Sequence, residues 1–131
     1  MTWKSITVAS LAFVCTFLFA YCLVAPKFTV DQLEKAVARD APVGSDAATV
    51  RDLLEQNGID YSDNPKAIEH SSILRSNEFA EIRPSVKRYM GAIIRDTQPA
   101  IVGRWGIQLS FFFDGDDKLI GHKINDFCIC P

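Results

Sequence analysis

A chain of 131 residues, 48% hydrophobic and with a formal net charge of −2, has room for one ordinary domain, which excludes a multidomain enzyme. Its apolar content is unevenly spread: residues 1–26 hold no acid and one base, Lys4, whereas residues 27–131 hold all 16 acids and 13 of the 14 bases, a net of −3. That larger part is still 42% hydrophobic, 44 of its 105 residues, which excludes intrinsic disorder, and with no basic block to displace counterions it is not read as a nucleic-acid-binding protein.

In residues 6–25, ITVASLAFVCTFLFAYCLVA, 17 of 20 positions are hydrophobic. As a helix the segment would be about 30 Å long, the hydrocarbon thickness of a bilayer, and its small hydroxyls can bond back to the i−4 carbonyl. The expectation is an N-terminal transmembrane helix whose partner is the lipid bilayer. Three fates stay open: an uncleaved anchor, favoured by the length of the run; a cleaved signal, with a cut after Cys22; and a lipid-modified cysteine. Lys4 ahead of the run keeps the N-terminus cytoplasmic and puts residues 27–131 outside, in the periplasm if the cell is Gram-negative. The division is therefore 1–26 as leader and 27–131 as exported domain.

Thr29 with Gln32 three residues on forms a capping box, and Val30, Leu33 and Val37 recur at helical spacing, which predicts a helix over 30–39. Pro42 and Gly44 break it. Ser45 or Asp46 then caps a second helix with Ala47, Val50, Leu53 and Leu54 on one stripe, and Asn57-Gly58 stops it. Residues 62–85 read as a partly ordered connection, with Asn64-Pro65 as the possible start of a third short helix. From Val86 the period becomes two. Residues 89–96 and 107–113 alternate as strands, Asp114-Gly115-Asp116-Asp117 turns the chain, and a third strand runs from Lys118 to about Ile129, with a bulge expected near Asn125-Asp126. The predicted fold class is α+β: a transmembrane helix, then two short helices packed on a three-stranded antiparallel sheet.

This order of elements resembles the small outer-membrane-assembly lipoproteins and the β-lactamase-inhibitor-like repeats, as well as small membrane-anchored exported proteins. The residues that carry the likeness are Val50-Arg51-Asp52-Leu53-Leu54 with Gly58, and the hairpin from Phe111-Phe112-Phe113-Asp114 to Lys118-Leu119. The resemblance implies a binding or assembly module for an envelope protein, with no catalytic residues to carry over.

Cys128-Ile129-Cys130 is the sharpest local feature. On a strand, i and i+2 share a face, so the two sulfurs suit a disulfide or one metal ion, with His122 as a third ligand on the same face. Cys15 and Cys22 read as small apolar residues of the leader. Glu69-His70-Ser71-Ser72 brings an acid, an imidazole and hydroxyls together without a nucleophile elbow, and the aspartates at 114–117 lack the closing glutamate of a calcium loop. Phe112 points away from the helix-facing side of its strand. It either forms an exposed aromatic patch with Trp105 or Phe127, or lies under the connection at 62–85. Arg88 and Arg95, in a basic set with Arg83, Lys87 and Arg104, are further candidates to meet anionic lipid head groups or an acidic partner. The expectation is a non-catalytic domain that needs no cofactor and binds an envelope protein, with a Cys-x-Cys thiol or metal protein, or a small enzyme, as the alternative.

Overall fold

The structure, a computed structural model, describes residues 10–16, 28–63, 72–95, 97 and 104–129. It contains a short helix α1 (10–16), helices α2 (Val30–Asp40) and α3 (Ala47–Gln56), and strands β1 (Tyr61–Asp63), β2 (Arg88–Arg95), β3 (Arg104–Phe113) and β4 (Leu119–Ile129). The strands form one antiparallel sheet in the order β1-β2-β3-β4. The α+β class holds, and two particulars of the expectation are corrected.

The expected transmembrane helix over 6–25 is one of them. Residues 10–16 are helical, about 10 Å of helix, and no helix among the described residues is long and apolar enough to cross a membrane. Within α1 the Thr16 hydroxyl does donate to the Ala12 carbonyl (2.8 Å). The other is the three-stranded sheet, which has a fourth strand. Tyr61, Ser62 and Asp63 pair with Ala92, Gly91 and Met90, and a strand of three residues is too short to show an alternation in sequence.

A side-chain cap starts α2 and a glycine turn stops α3, whereas Asp46 holds the N-cap position of α3 without a side-chain capping bond. The Gln32 amide donates to Thr29 Oγ1 (3.2 Å) at the start of α2, and α3 ends at Asn57 before Gly58, whose φ of 65° is the left-handed turn that glycine accepts without strain. The link between the helices is stitched to the β3–β4 hairpin: Gly44 N–H donates to Leu119 O (2.7 Å) and Leu119 N–H to Ser45 O (2.8 Å), with an ion pair between Lys118 and Asp46. This lays α2 and α3 on one sheet face. Leu33, Val37, Val50 and Leu54 there bury Met90, Ala92, Ile107, Leu109, Phe111, Phe113, Leu119 and Ile124.

The bulge lies elsewhere than expected. Phe112 pairs with Gly121 but Phe113 with Leu119, so Ile120 is the extra residue, and the ladder is unshifted across Asn125 and Asp126. One inserted residue inverts facing, so Leu119 and Ile124, of opposite parity, both reach the helix-side core. Phe127 needs no second bulge, because its ring lies on Gly106 of the outer face.

That outer face has its own small core. Residues 72–86, which include 3-10 turns at Asn77–Phe79 and Arg83–Ser85, form a strap. Leu74, Phe79 and Val86 close on Phe112, with Ile73, Ile82, Tyr89 and Ile120 around them. Arg83 ties the strap to itself, Nε donating to Leu74 O (2.8 Å) and Nη2 to Ser76 O (3.0 Å). The possible helix start at Asn64-Pro65 lies outside the described residues.

Two outer-face glycines test this packing. A methyl on Gly106 would sit 2.6 Å from the Phe127 ring and 2.8 Å from the Ile94 carbonyl oxygen, whereas on Gly121 its nearest neighbour is Ile82 Cδ1, the movable end of a side chain, at 2.6 Å. Gly106→Ala is expected to cost about 2 kcal/mol in urea unfolding, because β2 backbone must shift, and Gly121→Ala less than half of that. Equal losses would place the obstacle in side chains at both sites.

Candidate functional site

Phe112 is fully buried between the sheet and the strap, its ring 5.1 Å from Phe79 and 5.7 Å from Tyr89, so the exposed patch drawn around it is corrected. Of the two readings the sequence left open, the covered face is the one found: the strap supplies apolar side chains for that end of the sheet. Trp105 is half-buried and pairs with Cys128 on the opposite, helix-facing side. It does not meet Phe112.

Arg88 is not a free cation. Its guanidinium holds the Asp63 carboxylate on β1 with two hydrogen bonds, Nε at 2.9 Å and the shorter one from Nη2, and reaches Asp117 Oδ1 at 3.1 Å; Arg51 stands 3.8 Å from the same Asp63. The two hydrogen bonds from Arg88 hold the Asp63 carboxyl below the usual carboxylate range, with Arg51 adding to the effect, and they raise the guanidinium above its own ordinary value. Arg88 therefore pins β1 and the β3–β4 turn to β2. Asp114 Oδ1 accepts from the Asp116 and Lys118 amides (2.9 and 3.0 Å), which makes the aspartate run a self-bonded turn.

Of the residues expected to hold a metal ion or a disulfide, His122 and Cys128 are described, and they do not come together. His122 Nε2 lies 2.9 Å from Glu34 Oε2 on α2, and its ring is stacked on Phe111. Cys128 lies six positions further along the strand, about 20 Å away, so the two share a face but no ion. Cys128 is disulfide-bonded, and no group of three metal-ligating side chains occurs among the described residues. Cys130 and His70 lie outside them. Alkylation of the chain purified without reductant should label Cys15, which is free, and label Cys128 only after reduction. Peptide mass mapping reads this; label on Cys128 before reduction would contradict the bond.

A different feature emerges at the β1–β2 edge. Beta1 covers only Met90–Ala92 of the eight-residue β2, because Gly58 and an Ile59 N–H bond to Leu54 O (2.9 Å) carry the chain away toward α3. Below β1 this leaves a groove of about 560 Å³ that wraps round the strand edge. On its outer side stand Tyr89, Gly91, Ile93 and Gln108, and on its inner side Phe28, Ile59 and Ile94. Ile93 is 47% exposed, an unusual position for a β-branched side chain in the middle of a sheet strand. Tyr61 stands at the upper end, its hydroxyl donating to Glu55 Oε1 (2.8 Å), a bond that raises the phenol above its ordinary pKa. Asp60 also lines the groove at that end and Arg95 at the other, and neither has an ion pair among the described residues.

The groove was not foreseen. The alternation already placed Tyr89, Gly91 and Ile93 opposite Met90 and Ala92, but the missing length of β1 has no counterpart in the sequence pattern. Compared with protein-family models, with curated proteins and with solved structures, the chain finds no match.

Proposed function

We propose that this chain is a non-catalytic binding domain that captures another protein of the cell envelope. The observation that carries the reading is the groove at the β1–β2 edge, where exposed Ile93 and aromatic side chains line an open strand edge. Much of the charge elsewhere is used internally: Arg88, Lys118 and Lys123 each hold a carboxylate within the fold. A bonded Cys128 suits an oxidising, exported setting, and the resemblance to assembly lipoproteins points the same way.

The test is affinity capture with the full-length chain and an Ile93→Glu variant. Ile93 is half out in solvent, so the variant should unfold within about 0.5 kcal/mol of the parent. The parent should retain a specific envelope protein that the variant binds at least tenfold more weakly. Equal retention by both chains would rule out the groove as the binding site.

A further inference from the structure

We infer that the partner is taken as an extended peptide which adds to the free edge of β2 at Ile93–Arg95, antiparallel to it, reading acidic, apolar, apolar, basic in order. This rests on the binding reading above and names the partner's chemistry.

Strand edges carry unpaired backbone donors and acceptors, and proteins usually cover them or protect them with charge. Here the register leaves Ile93, Ile94 and Arg95 with no partner on the β1 side among the described residues. The groove opens on both faces of that edge rather than on one, which is the shape an added strand requires, since its side chains alternate between faces.

Position by position the register fixes the chemistry. An antiparallel segment would run collinear with β1 and end near its start. Its residue opposite Arg95 points to the outer face, beside a guanidinium with no ion pair among the described residues, and with Arg104 on the same face a carboxylate is favoured there. The next residue, opposite Ile94, enters the inner half against Ile59 and Phe28. The third, opposite Ile93, meets the Tyr89 side chain, which lies over Gly91, and Gln108. Both want apolar side chains. Ala92 already pairs with Tyr61, so the added strand ends there; the fourth residue leaves the ladder beside Asp60, with Glu55 nearby in the adjoining hollow, and a lysine or arginine is favoured. Reversing the peptide would set acid against acid at Asp60 and base against base at Arg95.

The experiment uses the full-length ¹⁵N-labelled chain and three capped six-residue peptides. The first reads threonine, glutamate, valine, isoleucine, lysine, threonine; the second exchanges its glutamate and lysine; the third is the first with both central amides N-methylated. The first peptide should shift the amides of Ile93, Ile94, Arg95 and Ile59 most, the second should bind at least fivefold more weakly, and the third should not bind. Arg95→Glu should abolish the preference between the first two. If the N-methylated peptide binds within twofold of the first, or the shifts lie elsewhere, strand addition is overturned while capture that depends on Ile93 still stands. Failure of all three peptides overturns it as well. If these amides are protected without peptide in proportion to protein concentration, the occupant is a second copy of the chain, which also overturns the proposal.

Discussion

Replacing Phe112 by alanine should lower the unfolding free energy by about 4 kcal/mol, the largest loss expected from any residue of the outer face. The ring is fully buried and is the one strand residue on which Leu74, Phe79 and Val86 all close. Its removal takes away the transfer term, the edge-to-face contact with Phe79 and the tilted contact with Tyr89, and leaves a void that the Arg83-tied strap cannot easily fill. Phe112→Leu keeps most of the volume and should cost about 1.5 kcal/mol. Urea unfolding measures both, and amide exchange in residues 72–86 should rise in the alanine variant well before exchange in α3 does. A loss under 1 kcal/mol would mean that the strap does not press on this ring. A partner contact at Phe112 is thus out of reach without unfolding, which is why the binding test above uses Ile93.

The same ring shows what the sequence could and could not convey. Alternation sorted Phe111 and Phe113 from Phe112, and capping residues located α2 and α3, because these signals act within a few residues of the atoms they position. What covers the opposite face is decided by contacts across many residues. The strap is short of both periodicities, being built from 3-10 turns and the carbonyl bonds of one arginine, so its packing left no pattern. The bulge follows the same logic. A bulge near Asn125-Asp126 was expected because Phe127 and Ile129 differ in parity from Ile120 and Ile124, but parity cannot say which residue is extra, and it is Ile120 itself. At the N-terminus the apolar run predicts a span, whereas no helix among the described residues is long and apolar enough to cross a membrane. For the site, Arg88 and Arg95 were both expected to meet the partner. The fold separates them, since Asp63, 25 residues away in sequence, occupies Arg88 and nothing described occupies Arg95.

Arg88→Met should cost about 3 kcal/mol at neutral pH, and Asp63→Asn about 2 kcal/mol, because each breaks a two-pronged, charge-assisted contact that is only about a quarter exposed. The arginine loss is the larger, since it strands two carboxylates, Asp63 and the more exposed Asp117. The pH dependence follows from the direction of the Asp63 shift. Its carboxyl is held low in the folded chain, chiefly by the Arg88 hydrogen bonds, so the unfolded chain binds the proton more readily. The contribution is complete above the ordinary carboxylate value of about 4 and drains away as pH falls through the lower, folded value. Arg88, already charged throughout this range and shifted further up, adds no titration of its own. Urea unfolding at pH 7, 5, 4 and 3 should therefore show the parent losing stability below about pH 4 more steeply than either variant, its curve drawing closer to theirs. Parallel curves would mean that Asp63 does not feel Arg88. Because this contact holds β1 in register against Met90–Ala92, its acid loss should also loosen the upper end of the groove, and binding at Ile93 should weaken over the same pH window.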